Sequence, residues 1–182
     1  MGQIKVTGLD IPGLVIMEPA VHGDGRGYFM ETYNQRDLLE AGIDVAFVQD
    51  NQSLSVKGVL RGLHFQKQHP QAKLVRVIRG EVFDVAVDLR RESPTYKRWH
   101  GVTLSAENKK QFYSPEGFAH GFLVLSNEAE LCYKVTDFWH PNDEGGLLWS
   151  DPAIGIEWPL DRIDGAPILS EKDQRYPTLA EL

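Results

Sequence analysis

The run VLRGLHFQ, residues 59–66, reads as strand at both ends yet carries Arg61 and His64. A strand buried in a core needs neither ion. Histidine titrates nearest neutrality and is the commonest general base. The planar fork of arginine suits a phosphate. A second histidine, His120, lies in the strand-like run PEGFAHGF. Two imidazoles aimed into one interior suggest proton transfer. Such a base benefits from a carboxylate behind its other ring nitrogen, and Asp84, Asp88 and Asp173 are the candidates. Tyr133, in ELCYKVTDFW, is a candidate proton donor. Its parity with Leu131 and Val135 equally makes it a core aromatic, whose hydroxyl would still need a partner.

Cationic side chains at Arg26, Arg61, Lys73, Arg76 and Lys172 are scattered along the chain. There is no glycine-rich phosphate loop, so an anion would be held by side-chain forks. Arg61 lies beside Gly62, where backbone can approach a ligand closely. Strict alternation from Val59 puts Arg61 and His64 on opposite faces of a strand. Both reach one ligand only if the strand bulges or bends at Gly62. Trp139, in a proline-rich segment, is either a packed corner or a stacking platform for a nucleobase. His22, His69, His100 and His140 read as surface or internally satisfied residues.

The elements that must position these groups are short strands. Seventeen Gly and ten Pro punctuate runs rich in Val, Ile, Phe and Leu, the pattern of many short strands. In KLVRVIRGEVFDVAVDL, residues 73–89, Phe83, Val85, Val87 and Leu89 make one face and Asp84, Ala86 and Asp88 the other. Arg79-Gly80 reads as the two-residue turn of a β-hairpin. Further strands are predicted over 13–19, 28–33, 46–53, 59–66, 98–104, 111–114, 119–126, 130–136 and 146–148. One helix is predicted over 34–41, with Asn34 as N-cap, Asp37 in the first turn and Gly42 at the end. SAENKK adds a single helical turn. A mostly β chain of this length must close as a sandwich, jelly roll or barrel. The segment from Trp139, with Pro141, Pro152, Pro159 and Pro167, is loop-rich and is expected to wrap the β-core within one domain, residues 1–182.

Composition narrows the class. With 182 residues, 42% hydrophobic and 25% charged, the chain suits one soluble globular domain. A net charge of −7 argues against general nucleic-acid binding, which needs clustered positive charge. No run has the length of a membrane span, and the start has neither a basic region nor an apolar block of a signal peptide. Gly2 gives only a faint acylation pattern. The single cysteine, Cys132, excludes an internal disulfide. Cytoplasm is the default expectation.

His64 and His120 occupy positions similar to the two metal-binding motifs of cupin barrels. Pro115, Gly117 and His120 keep the P-x-G-x-x-H spacing. The first motif ordinarily reads H-x-H with a downstream Glu; this chain has His64-Phe65-Gln66 and no Glu at that distance. A first-row metal site wants about three nitrogen or carboxylate ligands. The cupin shape is therefore expected without a catalytic metal.

The ordered set DGRGYFMETYN, FVQDNQSLSVKGVLRGLHFQ, QAKLVRVIRGEVFDVAVDLR, SPTYKRWHGVTLSAENKKQFYSPEGFAHGFLVLS, CYKVTDFWHPNDEGGLLWSDPAIGIEWP and LSEKD resembles the dTDP-4-dehydrorhamnose 3,5-epimerases over nearly the whole chain. The resemblance implies an all-β, cupin-type jelly-roll barrel with short helices, a homodimer, and no cofactor or metal. It implies inversion of the two carbons flanking the ketone of a dTDP-linked 4-keto-6-deoxy sugar, feeding L-rhamnose synthesis. That chemistry needs a base, an acid across the ring and a cation near the carbonyl oxygen. The resemblance gives these roles to His64, Tyr133 and Lys73. Asp173 or Asp84 would orient the base, the family pattern favouring Asp173. Arg26, Glu31, Gln49, Asn51, Arg61, His120, Glu144 and Lys172 match substrate-binding positions, with Arg26 and Glu31 reaching from a neighbouring chain. Trp139 matches an aromatic stacked on thymine. The rivals are a single-carbon epimerase or ketoisomerase on the same fold, a metal-dependent cupin oxygenase, and a non-catalytic sugar-nucleotide binding module.

Overall fold

A computed structural model describes residues 4–182; Gly2 lies outside them. The strands are β1 (Ile4–Gly8), β2 (Val15–Pro19), β3 (Val21–Asp24), β4 (Gly27–Met30), β5 (Gln49–Val56), β6 (Leu60–Gln66), β7 (Lys73–Arg79), β8 (Glu81–Asp88), β9 (Trp99–Ser105), β10 (Gln111–Ser114), β11 (Phe118–Val124), β12 (Glu128–Val135) and β13 (Glu144–Gly146). One helix, α1, spans Gln35–Glu40. Asn34 caps it by accepting a hydrogen bond from the Arg36 amide. No helix among the described residues is long and apolar enough to cross a membrane.

Two antiparallel sheets face each other as a jelly roll. One has six strands in the order β1-β2-β10-β7-β12-β5, the other five in the order β13-β6-β11-β8-β9. The small β3-β4 hairpin stands apart as its own two-stranded sheet. Residues 73–89 do form two strands, but not a hairpin. β7 pairs with β10 and β12, whereas β8 pairs with β11 and β9 in the opposite sheet. Gly80 is the corner where the chain changes sheets. Its φ is +74°, and a Cβ there would lie 2.0 Å from the Glu128 carbonyl oxygen. The Ser126 hydroxyl braces the corner, accepting from the Glu81 amide and donating to the Glu128 carbonyl. Three further differences are local. β1 and β3 are strands that the sequence reading left out, the last strand falls at 144–146 rather than 146–148, and SAENKK is a turn rather than a helix.

Three apolar clusters hold these layers. The first lies between the sheets and includes Val75, Val77, Val82, Phe112, Phe122 and Leu131. The second lies outside the five-stranded sheet, where Leu60, Leu63, Val85, Val87 and Leu123 pack against Leu147, Ile154, Trp158 and Ile163 of the C-terminal segment. That segment wraps the barrel. The third puts Leu38 of α1 with Ile4, Met17, Leu74 and Tyr113 outside the six-stranded sheet. Both faces of β8 are therefore buried. Its apolar face lies under the C-terminal wrap, and the face carrying Asp84 lines the barrel interior.

The break at Gly62 is present. His120 of β11 pairs with His64 of β6, and Phe122 pairs with Arg61. Two residue steps on β11 span three on β6, so β6 carries one extra residue. Arg61 and His64 thus face the same side, the barrel interior, while Leu60 and Leu63 face the outer cluster. Gly62 has φ +128°, and a Cβ would stand 2.6 Å from the Gly121 Cα. Only glycine fits that approach without displacing β11. Gly62→Ala is expected to cost at least about 2 kcal/mol of stability, because it adds both a disfavoured φ and a backbone clash. Gly8→Ala, where nothing lies within 4 Å, should change stability by no more than about 1 kcal/mol. Urea unfolding of both variants measures the contrast, and equal effects would refute the role assigned to Gly62.

Candidate active site

His64, Lys73 and Tyr133 line one cavity of about 320 Å³, together with Gln49, Asn51, Trp139 and Glu144. His64, Lys73 and Tyr133 come from three different strands. His64 is on β6. Lys73 begins β7, on the same face as Val75 and Val77. Tyr133 is on β12, directly opposite Asn51 of β5. Glu144 is on β13, opposite Gln66. A larger depression of about 660 Å³, bordered by Phe65, Arg91, Tyr96 and Leu179, is lined by none of His64, Lys73 and Tyr133.

The partner of His64 is Asp173, with Nε2 and Oδ1 2.6 Å apart. Asp173 is buried in a 3₁₀ turn, Asp173–Arg175, of the C-terminal segment. Burial pushes its carboxyl upward, but hydrogen bonds from His64 and Ser170 and the nearby charges of His64 and Lys172 bring it below its ordinary value. It therefore carries negative charge behind the imidazole at neutral pH. The Ser170 hydroxyl donates 2.8 Å to the other carboxylate oxygen and fixes its rotation. Asp84 serves the second histidine instead: His120 Nε2 lies 2.8 Å from its Oδ1. Asp84 is fully buried, and its second oxygen has no hydrogen-bond partner among the described residues.

Lys73 is the countercharge. Its ammonium donates a long hydrogen bond, 3.4 Å, to the His64 carbonyl. Burial drives its pKa down to about 8, opposed by the negative charges of Asp84 and Glu144. Tyr133 moves the other way. Burial raises its pKa, the charge of Arg61 lowers it, and that of Glu144 raises it. The phenol thus keeps its proton at neutral pH. Arg61 donates from Nε to Ser55 Oγ at 3.1 Å, within charge range of Tyr133.

The remaining residues singled out from sequence fall into two groups. Glu144 accepts from Lys172 at 2.6 Å at the cavity edge. Gln49 donates to Asn51 at 2.8 Å and accepts from the Trp139 amide at 3.0 Å. Arg26 and Glu31 are elsewhere. Arg26 is on the β3-β4 hairpin with a side chain 90% exposed, paired with Asp24, and Glu31 accepts from Asn34. Neither lines the cavity of its own chain.

The sequence reading missed Tyr176. Its ring meets the His64 imidazole edge-on, with centroids 5.6 Å apart. Gly146, paired with His64 across β13, leaves room for that ring, since a Cβ there would lie 2.3 Å from it. The one available signal was its place three residues after Asp173. Gln66, in the position of a cupin metal ligand, instead ties loops together. It donates to the carbonyls of His69 and Phe138 and accepts from the His140 amide.

A carboxylate-backed imidazole, a protonated phenol and a buried ammonium around one cavity equip a jelly-roll enzyme with the groups that proton transfer needs. The comparisons place it among its relatives. Residues 8–181 match the family model of dTDP-4-dehydrorhamnose 3,5-epimerase. The dTDP-4-dehydrorhamnose 3,5-epimerase of Methanothermobacter thermautotrophicus is 55% identical over 181 residues, covering 100% of this chain and 97% of the relative. That of Pseudomonas aeruginosa is 56% identical over 179 residues, covering 98% and 97%. The crystal structure of a dTDP-6-deoxy-D-glucose-3,5-epimerase from Legionella pneumophila, in complex with dTDP-4-keto-L-rhamnose, superposes with a TM-score of 0.93 at 49% identity, covering 97% of this chain and 93% of that one. The chain belongs to the dTDP-4-dehydrorhamnose 3,5-epimerase family, the isomerases of dTDP-rhamnose biosynthesis.

The electrostatics of Lys73 are testable apart from turnover. An NMR titration of ¹³C-labelled lysine methylenes should give Lys73 a midpoint near 8. Asp84→Asn should move it lower, because it removes a charge that favours the ammonium. A midpoint at the ordinary 10.5, or a rise in the variant, would contradict this account.

Proposed function

We propose that His64 and Tyr133 carry out the two proton transfers of epimerisation, on opposite faces of a sugar bound between them. The observation that supports this is the pairing of a charged carboxylate with His64 in the same cavity as a protonated Tyr133. His64 removes the hydrogen beside the ketone. Asp173 holds the imidazole in the tautomer that can accept it and stabilises the imidazolium that forms. The electrons move onto the ketone oxygen. Lys73, charged below about pH 8, stabilises that enolate. Tyr133 returns a proton from the other face, which inverts the carbon. The same enolate chemistry serves the carbons on both sides of the ketone, 3 and 5.

The rest of the cavity suits a nucleotide-linked substrate. Arg61 faces inward because of the bulge, within reach of a diphosphate. The cavity is at the small end of the range for ligand sites, about 300–1,000 Å³. It takes the sugar and leaves the thymidine to run over the rim, where Trp139 offers a face for stacking. His120, Gln49, Asn51, Glu144 and Lys172 bound the sugar and its phosphates.

His64→Ala should lower turnover by about two to four orders of magnitude. In D2O the wild type should place deuterium at both carbons flanking the ketone. Label at one carbon alone would favour the single-centre epimerase reading. Full turnover in both His64→Ala and Tyr133→Phe would sink the proton-transfer pair.

The exposed β3-β4 hairpin supports a homodimer. Tyr28 and Phe29 are 60% and 68% exposed, and Arg26 is remote from its own cavity. In the dimer the hairpin of one chain completes the nucleotide end of the other site. Arg26→Ala and His64→Ala chains, each impaired alone, should complement when refolded together. Half the dimers would be mixed, with one intact site each, so activity should recover to roughly a quarter of wild type. No recovery would place Arg26 outside its neighbour's site.

A further inference from the structure

Two histidines that read as surface residues come together at the rim of the cavity. The loop after β6 carries His69, and the loop after β12 carries Asp137 and His140. Asp137 stands beside the two imidazoles and faces a ring nitrogen of each. Its Oδ2 is 3.5 Å from His69 Nδ1, and its Oδ1 is 3.7 Å from His140 Nε2. The rings are stacked, with centroids 4.0 Å apart. Among the described residues this is the one set of three His, Cys, Asp or Glu side chains whose donor atoms converge, all within 4.8 Å. Neither of the buried-acid pairs, His64–Asp173 or His120–Asp84, belongs to such a set of three.

From these distances we propose that His69, Asp137 and His140 bind a divalent zinc-class ion outside the catalytic cavity. Two ligands of a tetrahedral Zn2+ at about 2.0–2.2 Å stand about 3.3–3.6 Å apart; the two His–Asp separations are 3.5 and 3.7 Å, and all three donors lie within 4.8 Å of one another. Two imidazoles and a carboxylate favour zinc, nickel or copper over magnesium or calcium, which prefer all-oxygen sites. Three protein ligands leave a fourth position for water.

The backbone beneath the cluster is already fixed. Gln66, buried, binds the His69 and Phe138 carbonyls and the His140 amide. Gln71 donates to the Asp137 carbonyl at 2.7 Å. Asp143 accepts from the Gln68 and His69 amides and lies within charge range of both imidazoles. It adds negative potential without being a ligand. These bonds hold the loops and leave the three side chains outward. Parallel rings cannot both aim lone pairs at one point, so an ion must turn at least one of them. At 47% and 38% side-chain exposure, His69 and His140 are free to turn. Asp137 and His140 flank Trp139 in the sequence, so an ion would pin the segment that overhangs the cavity.

Equilibrium dialysis of the full chain against buffered, low-micromolar free Zn2+ tests the site. The wild type should hold one equivalent per chain. The double variant His69→Ala, His140→Ala should bind at least about tenfold more weakly, since even outer-shell losses cost about 10–100-fold at metal sites. His64→Ala should keep the equivalent. Both double-variant positions are exposed or half-exposed, and unchanged thermal unfolding would confirm that the fold is kept. A wild type without a stoichiometric equivalent, or an equivalent that survives the double substitution, overturns the proposal. Loss in His64→Ala would move the ion to the catalytic cavity and overturn it equally.

Discussion

The hydrogen bond between His64 and Asp173 spans 109 positions in sequence, and the arrangement of the site depends on it. A hydrogen bond to a charged group contributes about 1.5–3 kcal/mol, too little by itself to anchor a long irregular segment. The anchoring comes from Leu147, Ile154, Trp158 and Ile163, which cover the apolar outer face of the five-stranded sheet. Burial at about 25 cal/mol per Å² makes that wrap stable. The same wrap then delivers Asp173 to one edge of the imidazole and Tyr176 to another. Stability and the orientation of the His64 ring thus share one cause. A wrap that loosened would expose Leu60, Leu63, Val85 and Val87 and release His64 together.

Much of this was legible in the sequence because short strands announce themselves by alternation and punctuation. The helix followed from Asn34 and Gly42, and the break at Gly62 from the resemblance, which gives Arg61 and His64 to one ligand. The hairpin at Arg79-Gly80 was misread for a physical reason. A glycine with positive φ fits a tight turn and a corner between sheets equally well, and only the partners of each strand distinguish them. Local pattern does not carry partners: β7 lies beside β12, more than fifty residues on.

The choice between Asp84 and Asp173 was closed to sequence for a related reason. Both are buried acids in plausible positions, and both do pair with a histidine. Alternation correctly put Asp84 on the opposite face from Val85 and Val87. It did not say that the apolar face would be covered by loop and the polar face would line the interior. In a barrel whose inside holds polar groups, the usual equation of apolar face with interior fails on the strands that carry them. Tyr176 was missed because its role arises from contact with a ring distant in sequence, which no spacing rule encodes.

The burden of an ionised interior explains why Lys73 stands where it does. Asp84 is fully buried and satisfied on one oxygen only. An isolated carboxylate in such a place would be too costly to stay charged. Lys73 shares the interior with it and with Glu144, and both charges favour its ammonium against the stronger effect of burial. The balance leaves a cation that is only modestly favoured at neutral pH. An ammonium already neutralised by a tight ion pair would have little attraction left for a new negative charge. Lys73 has no salt-bridge partner within 4.0 Å among the described residues, so its field remains directed into the cavity, where an enolate oxygen would supply the close anion it lacks.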